Sequence, residues 1–192
     1  MSTLELTPTV SARLRSPLVV GATVLLTAAV AAVQGSLVAA VLRGLLVLVL
    51  VPCALIDLEQ RIIPNRITGP AALAAIVLGL AVDAGGEPRR LLWAAIAGGF
   101  ILLAALAYPA GMGMGDVKLL GVMGLCLGRP VLAALMLALL GNVITGVVIA
   151  GRKGVREARK TALPFGPYLA VGGVVAAFVG DPLMHAYIGL MH

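Results

Sequence analysis

Seven long runs of apolar residues constrain the fold of this chain more than any other feature. They cover residues 17–34, 37–57, 67–83, 91–109, 116–128, 131–151 and 168–190. A helix needs about 20 apolar residues to cross the hydrocarbon core of a bilayer, and most of the runs approach that length. Because the runs are rich in Ala, Leu, Val and Gly and lack the alternation of a membrane barrel, we predict an all-α, polytopic membrane helix bundle of about seven transmembrane helices.

The content of charged residues leads to the same fold class. Only 11% of the 192 residues are charged and 61% are hydrophobic, whereas about 25% of a typical soluble domain is charged. The run at 116–128 is short for a span, because its 13 residues give roughly 20 Å of helix. Either this helix is short and buried within the bundle, or the glycine-rich segment before it also lies at membrane depth.

The basic residues predict how the bundle is oriented. Lys and Arg accumulate in short loops on the cytoplasmic side of a membrane. If the N-terminus is cytoplasmic, ten of the fourteen basic residues lie inside and only Arg89, Arg90 and Arg129 lie outside. Arg43 falls within the second run, from where its long stem could extend outward to the surface. We therefore expect seven spans, with the N-terminus inside and the C-terminus outside.

This orientation also predicts the organisation of the chain. Residues 1–16 are expected to form a cytoplasmic tail, and residues 17–190 a single membrane domain. The basic cluster at 152–160 could indicate nucleic-acid binding, but it is also what this orientation requires beside a span. The cluster could in addition attract anionic lipid headgroups. We therefore expect the lipid bilayer, and no nucleic acid, as a partner.

Two of the eight acidic residues are joined directly to apolar helices. Asp57 ends the second run and Asp116 begins the fifth, so in this orientation both lie at the cytoplasmic face. An ionisable group at membrane depth is costly and therefore a candidate for function, although a carboxylate at a helix end can also simply reach water. The remaining acidic residues are expected to be solvated or near the outer face, namely Glu5, Glu59, Asp83, Glu87, Glu157 and Asp181.

The sequence around each carboxylate predicts its local structure. After Asp57, Pro64 disfavours helix and Asn65 can close a turn, which indicates a tight connection between two spans. Before Asp116, glycines alternate over 111–115, and we expect this segment to be irregular rather than helical. A helix that starts near Asp116 would offer free N–H groups to its carboxylate. Lys118 could raise the local potential or act as a topological anchor.

Other residue types suggest packing rather than chemistry. Beyond Asp116, Gly121, Gly124 and Gly128 recur at a spacing of three and four residues, which predicts a smooth stripe for helix packing. Cys53 and Cys126 both lie in apolar runs and are expected to be small, buried packing residues. No Cys/His cluster suggests a metal, and we expect neither a metal nor a cofactor.

Three segments resemble the prepilin leader peptidases, a family of intramembrane aspartic peptidases with a GxGD signature. The resemblance covers roughly residues 37–190, and the segments occur in the order of the family. They are Asp57-Leu58 with Ile63-Pro64-Asn65, then Gly113-Met114-Gly115-Asp116-Val117-Lys118, and finally Leu163-Pro164-Phe165-Gly166-Pro167-Tyr168-Leu169.

The resemblance implies roles for these residues. It makes Asp57 and Asp116 the catalytic pair, within a six-helix peptidase core preceded by one N-terminal helix. The supporting residues that it implies are Pro64, Asn65, Gly113, Gly115, Lys118, Pro164, Phe165, Gly166 and Pro167.

The resemblance also implies a substrate and a location. The substrate would be a prepilin or pseudopilin with a short basic leader, cleaved at the cytoplasmic face of a bacterial or archaeal cytoplasmic membrane, and pilus or secretion assembly machinery is a further candidate partner. Long family members carry an additional domain with paired cysteine motifs and N-methyltransferase activity. Here no Cys-x-x-Cys occurs and the first two runs are joined by a few residues, so we expect the peptidase activity alone.

Two carboxylates that share a proton can hydrolyse a peptide, one activating water and the other polarising the carbonyl group, and either aspartate could be the base. Two other classes of function stay open. A proton-coupled carrier would use the same carboxylates, although carriers favour sites at the membrane midplane. A non-catalytic assembly subunit of a secretion system would not require both aspartates.

Overall fold

The protein is described here by a computed structural model, which covers residues 8–107, 113–154 and 164–189. All regular secondary structure in these residues is helical, so the predicted all-α fold class is confirmed. The helices are α1 Pro8–Leu14, α2 Pro17–Ala32, α3 Leu37–Gln60, α4 Asn65–Asp83, α5 Glu87–Ala107, α6 Met114–Leu127, α7 Val131–Lys153 and α8 Gly166–Gly189, with a 3-10 turn at Ala84–Gly86 between α4 and α5.

Each of the seven apolar runs coincides with one helix, from α2 to α8. The boundaries differ by up to four residues. The starts of α2 and α3 coincide with the starts of their runs, and there Ser16 and Ser36 cap the helices by accepting the backbone N–H groups of Val19 and Ala39. Hydrophobicity therefore predicts which segments are helical, and polar side chains set where two of those helices start.

Three helical stretches in the described part of the chain are long and apolar enough to cross a membrane. They are Leu37–Gln60, Asn65–Ala107 and Val131–Arg152, and the second contains both α4 and α5. Shorter apolar stretches occupy Pro17–Ala32 and Gly166–Val179. The architecture is that of a multi-pass helical membrane protein, while seven spans and the orientation stay predictions.

Helix α3 lies at the centre of the bundle. It packs against α2, α4, α6 and α8, while α5 packs along α6 and α7 along α8. Helix α6 is short and its inner residues are buried, in agreement with the first of the two alternatives for this run. Of its glycines, Gly124 leaves no room for a Cβ atom against Ala94 and so allows close packing on α5. Gly128 instead ends α6 with a positive φ of 63°.

Two expectations about charged residues are wrong. Arg43 does not extend outward but is buried, and its guanidinium donates to Gln34 and, at 3.2 Å, to the carbonyl oxygen of Ala177. Glu87 is not solvated, because only 3% of it is exposed and Arg90 Nε donates to its carboxylate at 2.9 Å. A charged group can be buried in an apolar bundle when it is hydrogen-bonded or paired with an opposite charge. The position of one residue in the sequence does not reveal such a partner.

The N-terminal residues include a short helix that contacts the end of α3. Val10 of α1 is buried, Arg13 forms an ion pair with Glu59 at 3.2 Å, and Thr9 donates a hydrogen bond to the same carboxylate. Glu59 lies two residues from Asp57, so α1 packs next to the helix end that carries one of the candidate aspartates.

Candidate active site

Asp57 lies in the last turn of α3, and only 5% of it is exposed. The helix ends because Arg61 adopts a left-handed conformation with φ 54°, from which its backbone N–H donates to the carbonyl oxygen of Asp57 at 2.9 Å. The chain then runs through an extended Pro64, and α4 begins at Asn65. The predicted tight connection around Pro64 and Asn65 is therefore present.

The N-terminus of α8 contacts Asp57 directly. The backbone N–H of Gly166 donates to Asp57 Oδ2 at 2.8 Å. A Cβ atom at this position would lie 2.7 Å from Oδ2 and 2.9 Å from Cγ of Asp57, so only glycine permits this contact. Phe165 is buried beside it. The segment with Pro164 and Pro167 thus starts a helix whose free N–H groups and positive dipole end face a carboxylate.

Asp116 lies in the first turn of α6, and 8% of it is exposed. Its Oδ2 accepts the backbone N–H of Gly113 at 3.1 Å, and its own N–H donates to the carbonyl oxygen of Gly113 at 3.1 Å. This reciprocal pair resembles a capping box. The expectation of an irregular segment over 111–115 is wrong for Met114 and Gly115, which are helical because this cap starts α6 there. Residues 111 and 112 lie outside the described residues.

Asp57 and Asp116 line the same pocket. Its volume is about 240 Å³, and its other lining residues are Arg61, Ile62, Ile63, Gly113 and Gly115. The pocket forms where α6 meets the connection after α3, and Gly115 allows this close approach because a Cβ atom there would lie 2.8 Å from Cβ of Ile63. The structure thus brings together the two carboxylates that the sequence singled out, while their catalytic role stays a prediction.

The three supporting glycines, Gly113, Gly115 and Gly166, donate to an aspartate or line the pocket. Phe165 is buried in the hydrophobic core next to Gly166. Lys118 does not line the pocket, and its ammonium group instead donates to Asn65 Oδ1 at 2.8 Å. This pair is a polar contact between α4 and α6 next to the pocket, on a neighbouring face of α6.

Arg61 is the charged residue of the pocket that the sequence motifs did not indicate. A left-handed backbone is most often signalled by glycine or asparagine, and neither residue stands at position 61. Its charge lies beside two carboxylates, and its unusual φ marks the turn after α3 as constrained. The one feature of the sequence that could indicate its place in the pocket is its position between Asp57 and the Ile63-Pro64-Asn65 segment.

The chemistry of the site follows from its two carboxylates. Each accepts one backbone N–H through Oδ2, and a carboxylate has about four acceptor positions, so both retain capacity for a water molecule or a substrate. Among the described residues no three His, Cys, Asp or Glu side chains group in a way that could hold a metal ion. The fold and the pocket together define a class: a helical membrane protein with a paired-carboxylate site at the end of its bundle.

Comparison with known proteins identifies the family within that class. The model of the type IV leader peptidase family matches residues 44–151, which include both aspartates, and the chain belongs to this family. The match covers more than half of the chain.

Several curated relatives are named prepilin leader peptidase/N-methyltransferase. The relative from Xanthomonas campestris is 32% identical over 69% of this chain and 48% of its own length. The relative from Bacillus subtilis is 33% identical over 72% of this chain and 56% of its own length. The relative from Aeromonas hydrophila is 32% identical over 91% of this chain and 61% of its own length. The chain thus spans about half the length of the curated relatives it matches, and no solved structure matches it significantly.

Proposed function

We propose that this chain is a membrane aspartic endopeptidase that cleaves the short basic leader from type IV prepilins or pseudopilins. The observation that carries the proposal is the shared pocket of Asp57 and Asp116, two buried carboxylates from distant parts of the chain. The relatives are named as prepilin leader peptidases, which supports the same substrate class here.

The reaction needs one ionised and one neutral aspartate. The ionised carboxylate removes a proton from a water molecule, whose oxygen attacks the carbonyl carbon of the scissile peptide bond. The neutral carboxyl group donates its proton to the carbonyl oxygen. When the tetrahedral intermediate collapses, the C–N bond breaks and the leaving amine takes up a proton from the pair. Two carboxylates near one another resist double ionisation, so they titrate as a unit, and either residue could be the base.

Backbone N–H groups suit this division of roles. The N–H of Gly166 and that of Gly113 each donate to one aspartate, and both lie where a helix begins. Helix N-termini favour negative charge, which supports one ionised carboxylate within an otherwise apolar bundle. The same bonds fix the direction of each carboxyl group, and positioning of this kind is a large part of catalysis.

The proposed location follows from the charges. We place helices α2 to α8 across the cytoplasmic membrane with the N-terminus inside, so that the pocket opens to the cytoplasm where prepilin leaders are exposed. The hydrogen bonds of Arg43 and Arg90 do not change this assignment, because it depends on the balance of all the basic residues between the two sides of the membrane.

We further propose that this chain supplies the peptidase activity without N-methylation. The connection between α2 and α3 comprises only residues 33–36, and the two cysteines, Cys53 and Cys126, are buried packing residues far apart in the chain. The paired cysteine motifs of the longer family members are therefore missing from these 192 residues.

One experiment separates this proposal from a proton-coupled carrier and from an assembly subunit. The purified chain is reconstituted in proteoliposomes with a prepilin, and release of the leader is followed by mass spectrometry with and without a proton gradient. We expect cleavage that does not require the gradient. Absence of cleavage with any prepilin or pseudopilin would favour an assembly subunit, and proton flux that depends on both aspartates would favour a carrier.

A further inference from the structure

A second and larger opening lies next to the catalytic pocket. It is a groove of about 590 Å³ between α4, α5 and α6. Helices α4 and α5 each pack along α6 but contact each other far less, so α6 forms the floor of the groove and the other two form its walls. Helices α4 and α6 each contribute one face, with Asn65, Thr68 and Ala72 on α4 and Lys118, Gly121 and Leu125 on α6.

The glycines of the groove explain why it is open. A Cβ atom added to Gly121 or to Gly69 would meet nothing within 4 Å. The open space lies on the side where a Cβ of Gly121 would point, while the Gly121 backbone packs against α5, where a Cβ added to Gly98 would lie 3.8 Å from Gly121 Cα. The space that these glycines leave is continuous along about two turns of α6.

The polar groups of the groove are ordered by depth. Asn65 and Lys118 lie at one end, where the Lys118 ammonium group donates to Asn65 Oδ1 at 2.8 Å. An ammonium group has three donors, so two more can bind an anion. Thr68 lies one helical turn deeper, roughly 4.5 Å along α4. It is 2% exposed, and its hydroxyl group has no hydrogen-bond partner among the described residues. Beyond Thr68 the lining residues are apolar or glycine.

We propose that this groove binds an anionic phospholipid. A phospholipid has the same order of groups, since a charged phosphate is followed by ester carbonyls and then by acyl chains. The phosphate binds Lys118 and Asn65, an ester carbonyl accepts the hydrogen bond of Thr68, and one acyl chain follows Ala72, Gly121 and Leu125 toward the far end. Only the proposed placement of this end of the bundle at the membrane surface is assumed, and not the peptidase activity.

A transmembrane helix of a substrate fits these observations less well. Small residues along a groove do favour the close approach of a helix. However, a carbonyl oxygen within a helix can accept a threonine hydroxyl, as Gly141 does from Thr145, so Thr68 alone does not distinguish the two occupants. The charge of Lys118 does, because the phosphate of a lipid complements it, whereas an apolar helix brings no anionic group to this end of the groove.

The charge in the groove is tested by lipid titration of the full chain. The purified protein is delipidated in detergent and titrated with phosphatidylglycerol or with phosphatidylcholine, and bound lipid is counted by native mass spectrometry. We expect one tightly bound phosphatidylglycerol, and Lys118→Gln should raise its Kd about tenfold with little effect on phosphatidylcholine. Arg66→Gln is the matched control, because Arg66 is an exposed cation in the first turn of α4 that does not line the groove.

The depth of the groove is tested by two further pairs of variants. Thr68→Val keeps the shape of the side chain and removes the hydroxyl group, so it should raise the Kd for both lipids about threefold or more. Its control is Thr145→Val in α7, where the hydroxyl group donates to the Gly141 carbonyl oxygen. Gly121→Leu should fill the groove and abolish binding. Its control is Gly99→Leu in α5, which also has open space but does not line the groove.

Several outcomes would overturn the proposal. Equal losses in the Lys118→Gln and Arg66→Gln variants would show that lipid is attracted by surface charge alone. Phosphatidylglycerol binding that survives Gly121→Leu, together with a raised KM for a prepilin, would assign the groove to the substrate. Because lipid binding is measured without catalysis, these results do not depend on whether the chain cleaves prepilins. Lys118→Gln changes an exposed contact and should leave folding intact, which a thermal unfolding curve verifies.

Discussion

Two glycines donate to the candidate aspartates, yet the structure predicts very different results when each is replaced by alanine. Gly166 donates to Asp57 and Gly113 donates to Asp116, in both cases to Oδ2. A Cβ atom on Gly166 would lie 2.7 Å from Oδ2 and 3.0 Å from Cβ of Asp57, whereas one on Gly113 would lie 3.5 Å from Asp116 Oδ2. The first distance is a clash, and the second is an ordinary contact.

The clash sets the expected size of the effect. Since favourable carbon contacts lie at about 3.5–4.0 Å, Asp57 or the start of α8 must shift by roughly 0.5 Å or more in Gly166→Ala, and the bond between them is lost or bent. A hydrogen bond to a charged group is worth about 1.5–3 kcal/mol, and misplacement of a catalytic group by 1 Å can cost about 10²-fold. We therefore expect kcat for leader cleavage to fall roughly 10- to 100-fold.

The assay compares the two alanine variants under single-turnover conditions in proteoliposomes. Gly113→Ala should lose much less activity, because its backbone φ of −89° suits any residue and its N–H can still donate. Membrane insertion and thermal unfolding of both variants are measured in parallel. Equal losses of activity, or a larger loss for Gly113→Ala, would refute the claim that the close approach of Gly166 to Asp57 positions the carboxylate.

Three further predictions concern packing, stability and orientation. Gly115→Ala should lower kcat about 10²-fold while insertion continues, since its Cβ would clash with the α3–α4 connection; normal cleavage would show that this close approach is not needed. Arg90→Ala should lower the free energy of unfolding by about 3 kcal/mol, because it leaves a buried carboxylate without its cation, whereas the exposed Arg89→Ala should have a small effect; equal losses would contradict the ion-pair explanation. In intact cells a membrane-impermeant maleimide should label Arg129→Cys but not Arg152→Cys, and the reverse pattern would invert the proposed orientation.

The sequence predicted the helices and the two aspartates because both depend on local signals. Apolar runs of membrane length have few alternatives to helix, and an acidic residue at the end of such a run stands out on its own. The pairing of Asp57 with Asp116 depends instead on how α3, α6 and α8 pack. That packing relies on glycines such as Gly115 and Gly166, whose partners cannot be inferred from one sequence.

Both errors concern charged residues that are buried. Arg43 is held by the carbonyl oxygen of Ala177, which is 134 residues away in the chain. Glu87 is paired with Arg90, one turn along its own helix. The backbone conformation of Arg61 is likewise imposed by the turn that follows α3. Thr68 gave no signal in the sequence, because a hydroxyl group without a partner becomes visible only once its neighbours are known.

The central claim is that Asp57 and Asp116 act as one catalytic unit, and single-turnover cleavage of a prepilin by four proteins tests it most directly. These are the wild type, Asp57→Asn, Asp116→Asn and the double variant, with insertion confirmed for each. Asparagine keeps the size of aspartate but cannot exchange the acid proton. We predict that each single variant loses at least about 10⁴-fold in rate and that the double variant is no slower than either, because residues that act as a unit are not additive. Cleavage within about tenfold of wild type by either single variant would contradict the claim.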